Sequence, residues 1–135
     1  MNVTQLNWLA IAAATLSACV IGGLWYSKLL FGDIWMKASG MNEEKVKKAN
    51  PAKTYSVAFV FILIAAVNLG LFMSGPQIGL LQGAFYGFLT GLGWVFTGIG
   101  VVALFEQKSW SYIFINGGFW VVALTVMGMI VGAWK

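Results

Sequence analysis

The sequence predicts an all-α, polytopic integral membrane protein: one domain over residues 1–135 with four transmembrane helices. Two observations carry this. The chain is 60% hydrophobic and only 9% charged, whereas a soluble domain is about one quarter charged. The few charges also sit between four apolar runs, each long enough for the ~20 residues that cross a bilayer. In a chain of 135 residues, four crossings leave no room for a sizeable soluble domain.

Helix one is expected over residues 7–27. Ala10, Ala14, Ala18 and Gly22 recur every four residues, a small-residue face suited to close helix packing. The expectation is that this face meets the glycines of helix three. Trp8 at one end, and Trp25 and Tyr26 at the other, sit where interfacial aromatics belong. Cys19 follows Leu16-Ser17-Ala18 in a lipobox-like order, but residues 1–8 carry no Lys or Arg and the apolar run continues through Leu24. It reads as a small apolar helix residue. A lone cysteine excludes an intrachain disulfide and any multi-cysteine metal site.

The connection over residues 28–50 begins with a stretch, Leu29 to Lys37, too apolar for a free loop and expected to lie in the interface. Asn42 then caps a short helix in which Glu43 with Lys47, and Glu44 with Lys48, stand four apart in the favourable order. Asn50 and Pro51 supply the cap and first residue of helix two, residues 51–73. Ser74-Gly75-Pro76 is an uncharged turn. Helix three covers residues 77–105, Glu106-Gln107-Lys108-Ser109 is a polar turn, and helix four covers residues 110–134.

Helix three organises the rest. Gly79, Gly83, Gly87 and Gly91 are spaced by four and stack on one side, a surface that lets another helix approach to backbone contact. Gly98 is expected to continue the stripe, and Gly128 and Gly132 of helix four offer a second small-residue pair. Beside the ladder run Gln82, Tyr86, Thr90, Gly93 and Thr97. Leu81, Phe85, Phe88, Leu92, Val95 and Ile99 are assigned to lipid. By depth, Asn68 and Gln82 form one polar group near the outer side, and Tyr26, Thr97 and Asn116 another near the inner side. Interhelical hydrogen bonding is the first reading of both groups, with a polar pocket or water-filled path as the alternative. Trp94 and Trp120 lie away from the interfaces. They serve either bulk packing or the walls of a site for an apolar ligand or lipid tail. The shared G-x-x-W of Gly22-Trp25 and Gly91-Trp94 reads as coincidence.

The net charge of +4 comes from eight lysines, with no arginine and no histidine. Lys28, Lys37, Lys45, Lys47, Lys48 and Lys53 flank the first connection and Lys108 lies in the third. This places the 28–50 loop in the cytoplasm and both termini outside, across a bacterial cytoplasmic membrane. Nucleic-acid binding is not expected without arginines or distributed basic patches. No Asp, Glu, Lys or Arg lies deep in a helix, which argues against an ion-coupled exporter. The lack of histidine removes the commonest general base and metal ligand, so no enzyme, cofactor or metal site is expected. The expected partners are membrane lipids, a second copy through helix three, or another membrane protein. The first functional reading is a structural or regulatory homo-oligomer, with a small channel or carrier, or a binder of lipid or another apolar ligand, as alternatives.

The stretch Gly22-x-x-Trp25-Tyr26-Ser27-x-Leu29-Leu30-Phe31-Gly32-x-x-Trp35 resembles the signature of domain-of-unknown-function family 1761, small bacterial membrane proteins. Asn116-Gly117-Gly118-Phe119, with Gly128 beyond it, looks like that family's last helix. Lys28 stands where members often have proline, and no histidine stands near Trp120 where many have one. The resemblance implies a four-helix integral membrane protein and supplies no activity.

Overall fold

A computed structural model describes residues 3–135. After a 3₁₀ turn at Val3–Gln5 come α1 (Trp8–Trp25), two short helices α2 (Gly32–Ser39) and α3 (Glu43–Lys48), and α4 (Pro51–Phe72). The third span is continuous from Leu80 to Phe105. It consists of α5 (Leu80–Thr90), a π-helical stretch (Gly91–Phe96) and α6 (Thr97–Phe105), and α7 (Trp110–Ala133) closes the chain. Among the described residues there is no strand, and four helices are long and apolar enough to cross a membrane.

The helix starts follow from local chemistry. Asn7 Oδ1 accepts from the Leu9 and Ala10 amides, Asn42 Oδ1 from Lys45, Asn50 Oδ1 from Lys53, and Ser109 Oγ from Tyr112. Each satisfies amides that a helix start leaves without partners. The third span starts at Leu80 rather than Gln77, because the Gln82 side chain turns back to accept from the Gly79 amide at 3.3 Å. That bond fixes Gly79 as the cap. In the first connection Glu44 pairs with Lys48 at 3.7 Å, as spaced. Glu43, expected to pair with Lys47, instead reaches Lys28 at 3.1 Å, drawing α3 toward the end of α1. Its hydrogen bond and charge hold the Lys28 ammonium above the ordinary lysine range. Both pairs are well exposed and contribute little to stability.

The hub is α7, which packs against α1, α2 and the whole third span, while α4 rests chiefly on α1. The α1–α7 pair is antiparallel. Asn7 Nδ2 donates to the Trp134 carbonyl at 3.2 Å at one end, and Trp25 Nε1 donates to the Ile115 carbonyl at 2.8 Å at the other. The core they enclose includes Ala14, Ala18, Phe119, Ala123 and Met127.

The glycine ladder brings α5 and α7 to backbone contact. A Cβ on Gly83 would fall on the Gly128 carbonyl oxygen, and one on Gly128 would fall on the Gly83 carbonyl oxygen. The same holds for Gly87 against the Leu124 carbonyl and Gly132 against that of Gly79. Each glycine therefore aims a Cα–H at the facing backbone, a weak hydrogen bond that recurs at close helix crossings. At Gly91 a Cβ would lie 2.7 Å from Val121 Cα. Gly98, expected to extend the stripe, faces open space. The π-helical stretch inserts one extra residue, so the inward positions step by five from Gly91 to Phe96. The Phe96 ring fills the place where Gly117 has no side chain, and beyond it Gly100 faces Ile113. For the same reason Val95, assigned to lipid, packs against the core.

The small face of α1 is buried, with Ala10, Ala14 and Ala18 all at 0% exposure. It does not meet the ladder, because α7 already covers that side of the third span. Instead a Cβ on Gly22 would lie 3.3 Å from the Phe119 ring of α7, and Gly70 of α4 approaches Ile11. The ladder is thus filled by α7 of the same chain.

Candidate functional site

Two arrangements stand out, one at the lysine-rich end and one in the opposite half of the bundle. At the lysine-rich end, the two signature stretches meet. The turn after α1 folds back so that the Phe31 amide donates to the Trp25 carbonyl at 3.0 Å and the Gly32 amide to the Ser27 carbonyl at 2.9 Å. The Trp25 and Phe31 rings are then 4.7 Å apart, and the Tyr26 ring is 5.5 Å from Trp35 and 5.7 Å from Phe119. The Tyr26 hydroxyl donates to Asn116 Oδ1 at 2.7 Å, and Asn116 Nδ2 donates to the Tyr112 carbonyl. Gly118 leaves room for the Trp25 indole, 3.2 Å from where its Cβ would be. Every residue of Asn116-Gly117-Gly118-Phe119 therefore meets α1, the turn after it or Phe96. Leu29, Leu30 and Ile34 stay exposed on the outside of the turn.

Thr97, grouped with Tyr26 and Asn116 by depth, is not part of this cluster. It is exposed and donates to the Gly93 carbonyl at 2.8 Å, covering a carbonyl beside the π-helical insertion. Tyr26→Phe and Asn116→Ala should each destabilise the protein, and the pair should show a coupling of about 0.5–1.5 kcal/mol in a double-mutant cycle. Additive losses would mean the hydrogen bond contributes nothing of its own.

In the half of the bundle away from the lysines a cleft of about 670 Å³ opens sideways between α4 and α5. It exists because α4 leans on α1 and α5 is held against α7, which leaves the two diverging with α7 as the floor. Ala65, Asn68, Leu69 and Phe72 form the α4 wall, and Tyr86, Leu89, Thr90 and Trp94 the opposite wall. Trp120 and Leu124 form the floor, and Met73 and Ile78, both buried, close the end away from the lysines. Trp94 and Trp120 thus line one cleft, with Trp94 81% exposed at its edge.

The expected Asn68–Gln82 bond is absent. Asn68 Nδ2 donates to the Ile64 carbonyl of its own helix at 2.9 Å, and Gln82 caps α5. The two lie at similar depth but on walls that diverge, so each finds a partner on its own backbone. Thr90 likewise donates to the Tyr86 carbonyl at 2.8 Å. The Tyr86 hydroxyl, the Trp94 indole N–H and Asn68 Oδ1 have no hydrogen-bond partner among the described residues. No group of three or more His, Cys, Asp or Glu capable of holding a metal occurs among the described residues.

Fold and site together define a polytopic α-helical membrane protein with a laterally open apolar cleft. The family described as "Protein of unknown function (DUF1761)" matches residues 9–132, and the chain belongs to that family. No curated protein and no solved structure matches it significantly.

Proposed function

We propose that the protein binds a lipid-like apolar molecule in the cleft between α4 and α5, as a non-catalytic membrane protein. The observation that carries this is the cleft itself: mostly apolar walls, two tryptophans and a few unpaired polar groups, the usual make-up of a small-molecule site. Its lateral opening suits a ligand arriving from the bilayer. Conduction finds less support, because Gln82, Thr90 and Thr97 bond to their own backbone and the cleft lining ends near mid-depth. Self-association through the ladder loses its surface to α7.

The test is native mass spectrometry of protein extracted from membranes under mild conditions. The wild type should retain one apolar adduct per chain. Ala65→Trp, which fills the cleft from α4, should lose it while keeping its melting temperature. Leu89→Trp fills the cleft from the other wall and serves if the first variant is unstable. Retention unchanged in a folded, filled variant would overturn the proposal.

Orientation is part of the same reading. With seven lysines at one end of the bundle and Lys135 alone at the other, the 28–50 connection faces the cytoplasm of a bacterial cell and both termini lie outside. A cysteine introduced by Asn42→Cys should resist a membrane-impermeant reagent in intact cells and react after permeabilisation. Labelling in intact cells would reverse the orientation.

A further inference from the structure

The cleft's dimensions and its unpaired donors narrow the ligand class. On α4 the lining runs from Ala65 to Met73, on the third span it ends at Val95, and on α7 at Trp120. Counted at 1.5 Å per residue, the helical wall from Tyr86 to Val95 covers about 14 Å, with Ile78 closing its outer end. Trp94, fourteen residues along a span of 26, stands near the bilayer centre. The cleft therefore serves one leaflet, the one away from the lysine-rich end, and stops at mid-depth. A transmembrane helix from a partner would need walls along the whole ~30 Å hydrocarbon core. An acyl chain needs walls along half of it.

The polar atoms say where such a chain carries its head. Long and aromatic side chains on a helix point back toward its N-terminus, which for α5 is the end away from the lysines. The Tyr86 hydroxyl is thus directed up the cleft, toward the level where lipid esters lie. It has no partner among the described residues, and an unpaired donor at this depth is costly. On the facing wall, one hydrogen of Asn68 Nδ2 goes to Ile64 and the other remains free. The Tyr86 donor on the outer side, with tryptophan and leucine below it, matches an ester carbonyl with a hydrocarbon chain beneath it. We infer that the cleft holds one acyl chain of a diacyl glycerolipid from that leaflet, its ester carbonyl accepting from Tyr86 and its chain end lying against Trp94 and Trp120. This rests on the cleft being a binding site, as proposed above.

The experiment reconstitutes the full chain in nanodiscs of diester lipid or of the matching diether lipid, which lacks the carbonyl, and counts adducts retained in native mass spectrometry. Diester retention should exceed diether retention by about 3- to 10-fold for the wild type, the effect of one hydrogen bond. Tyr86→Phe should reduce diester retention to the diether level without lowering diether retention. Equal retention of both lipids would overturn the ester assignment while leaving the cleft a binding site. Retention of neither would overturn the binding site itself. An adduct from native membranes with the mass of a prenyl quinone, the other common carbonyl-bearing lipid, would overturn the glycerolipid assignment.

Discussion

Gly83→Ala should strongly destabilise the protein, whereas Gly98→Ala, on the same span, should leave it unchanged or slightly more stable. The two substitutions are chemically identical and differ only in what the new methyl group meets. At Gly83 it lands on the Gly128 carbonyl oxygen, and the next neighbours are also backbone atoms. No rotamer change relieves such a clash, so α5 and α7 must separate, and neighbouring ladder contacts are lost with them. The cost is that of severe overpacking, about 1–3 kcal/mol or more. At Gly98 nothing lies within 4 Å, and alanine gains about 0.5–1 kcal/mol of intrinsic helix preference over glycine. Thermal unfolding of both variants in one detergent decides between these signs. Equal losses would mean that the ladder does not hold α5 to α7.

Gly32→Ala should be the second large loss, at the lysine-rich end. A Cβ there would sit 2.6 Å from the Tyr26 carbonyl oxygen and 2.7 Å from that of Ser27. The Ser27 carbonyl is also the acceptor for the Gly32 amide, so the methyl group opens the turn where it is tightest. Phe31 and Trp35 then move away from Trp25 and Tyr26. A loss of about 1–3 kcal/mol is expected, with a shift in tryptophan emission as the cluster loosens. Gly23→Ala, where nothing lies within 4 Å, should show neither change. A Gly32→Ala protein with wild-type stability and emission would mean that the signature turn is not a packing device.

The four spans, the asparagine caps at 42 and 50 and the ladder from Gly79 to Gly91 are legible in the sequence, because spacing and capping chemistry act within a few residues. The π-helical insertion is not. Leu92 to Phe96 carries no residue that marks a change of period, and a stripe projected at a constant 3.6 residues per turn lands on Gly98 instead of Phe96 and Gly100. Nor does equal depth imply contact, as Asn68 and Gln82 show. Which helices are neighbours depends on α7 receiving α1 on one side and the glycines on another. The lean of α4 toward α1 follows from Gly70 admitting Ile11 and Leu6, a preference visible only once the helices are placed. Trp94 and Trp120 could be set at one depth from the sequence. The gap that joins them could not.

A lipid chain in the space between α4 and α5 would lie above Trp120. Trp120 is the probe, because it lies on the floor of the cleft, and its share of the fluorescence is the difference between wild type and Trp120→Phe. In bilayers of diester lipid brominated near the acyl terminus, that share should be strongly quenched, and less so when the bromine sits near the ester. Quenching should also fall sharply in Ala65→Trp, measured against its own Trp120→Phe double variant. A Trp120 signal untouched by terminal bromine, or quenched equally in the filled variant, would mean that no acyl chain lies in the cleft.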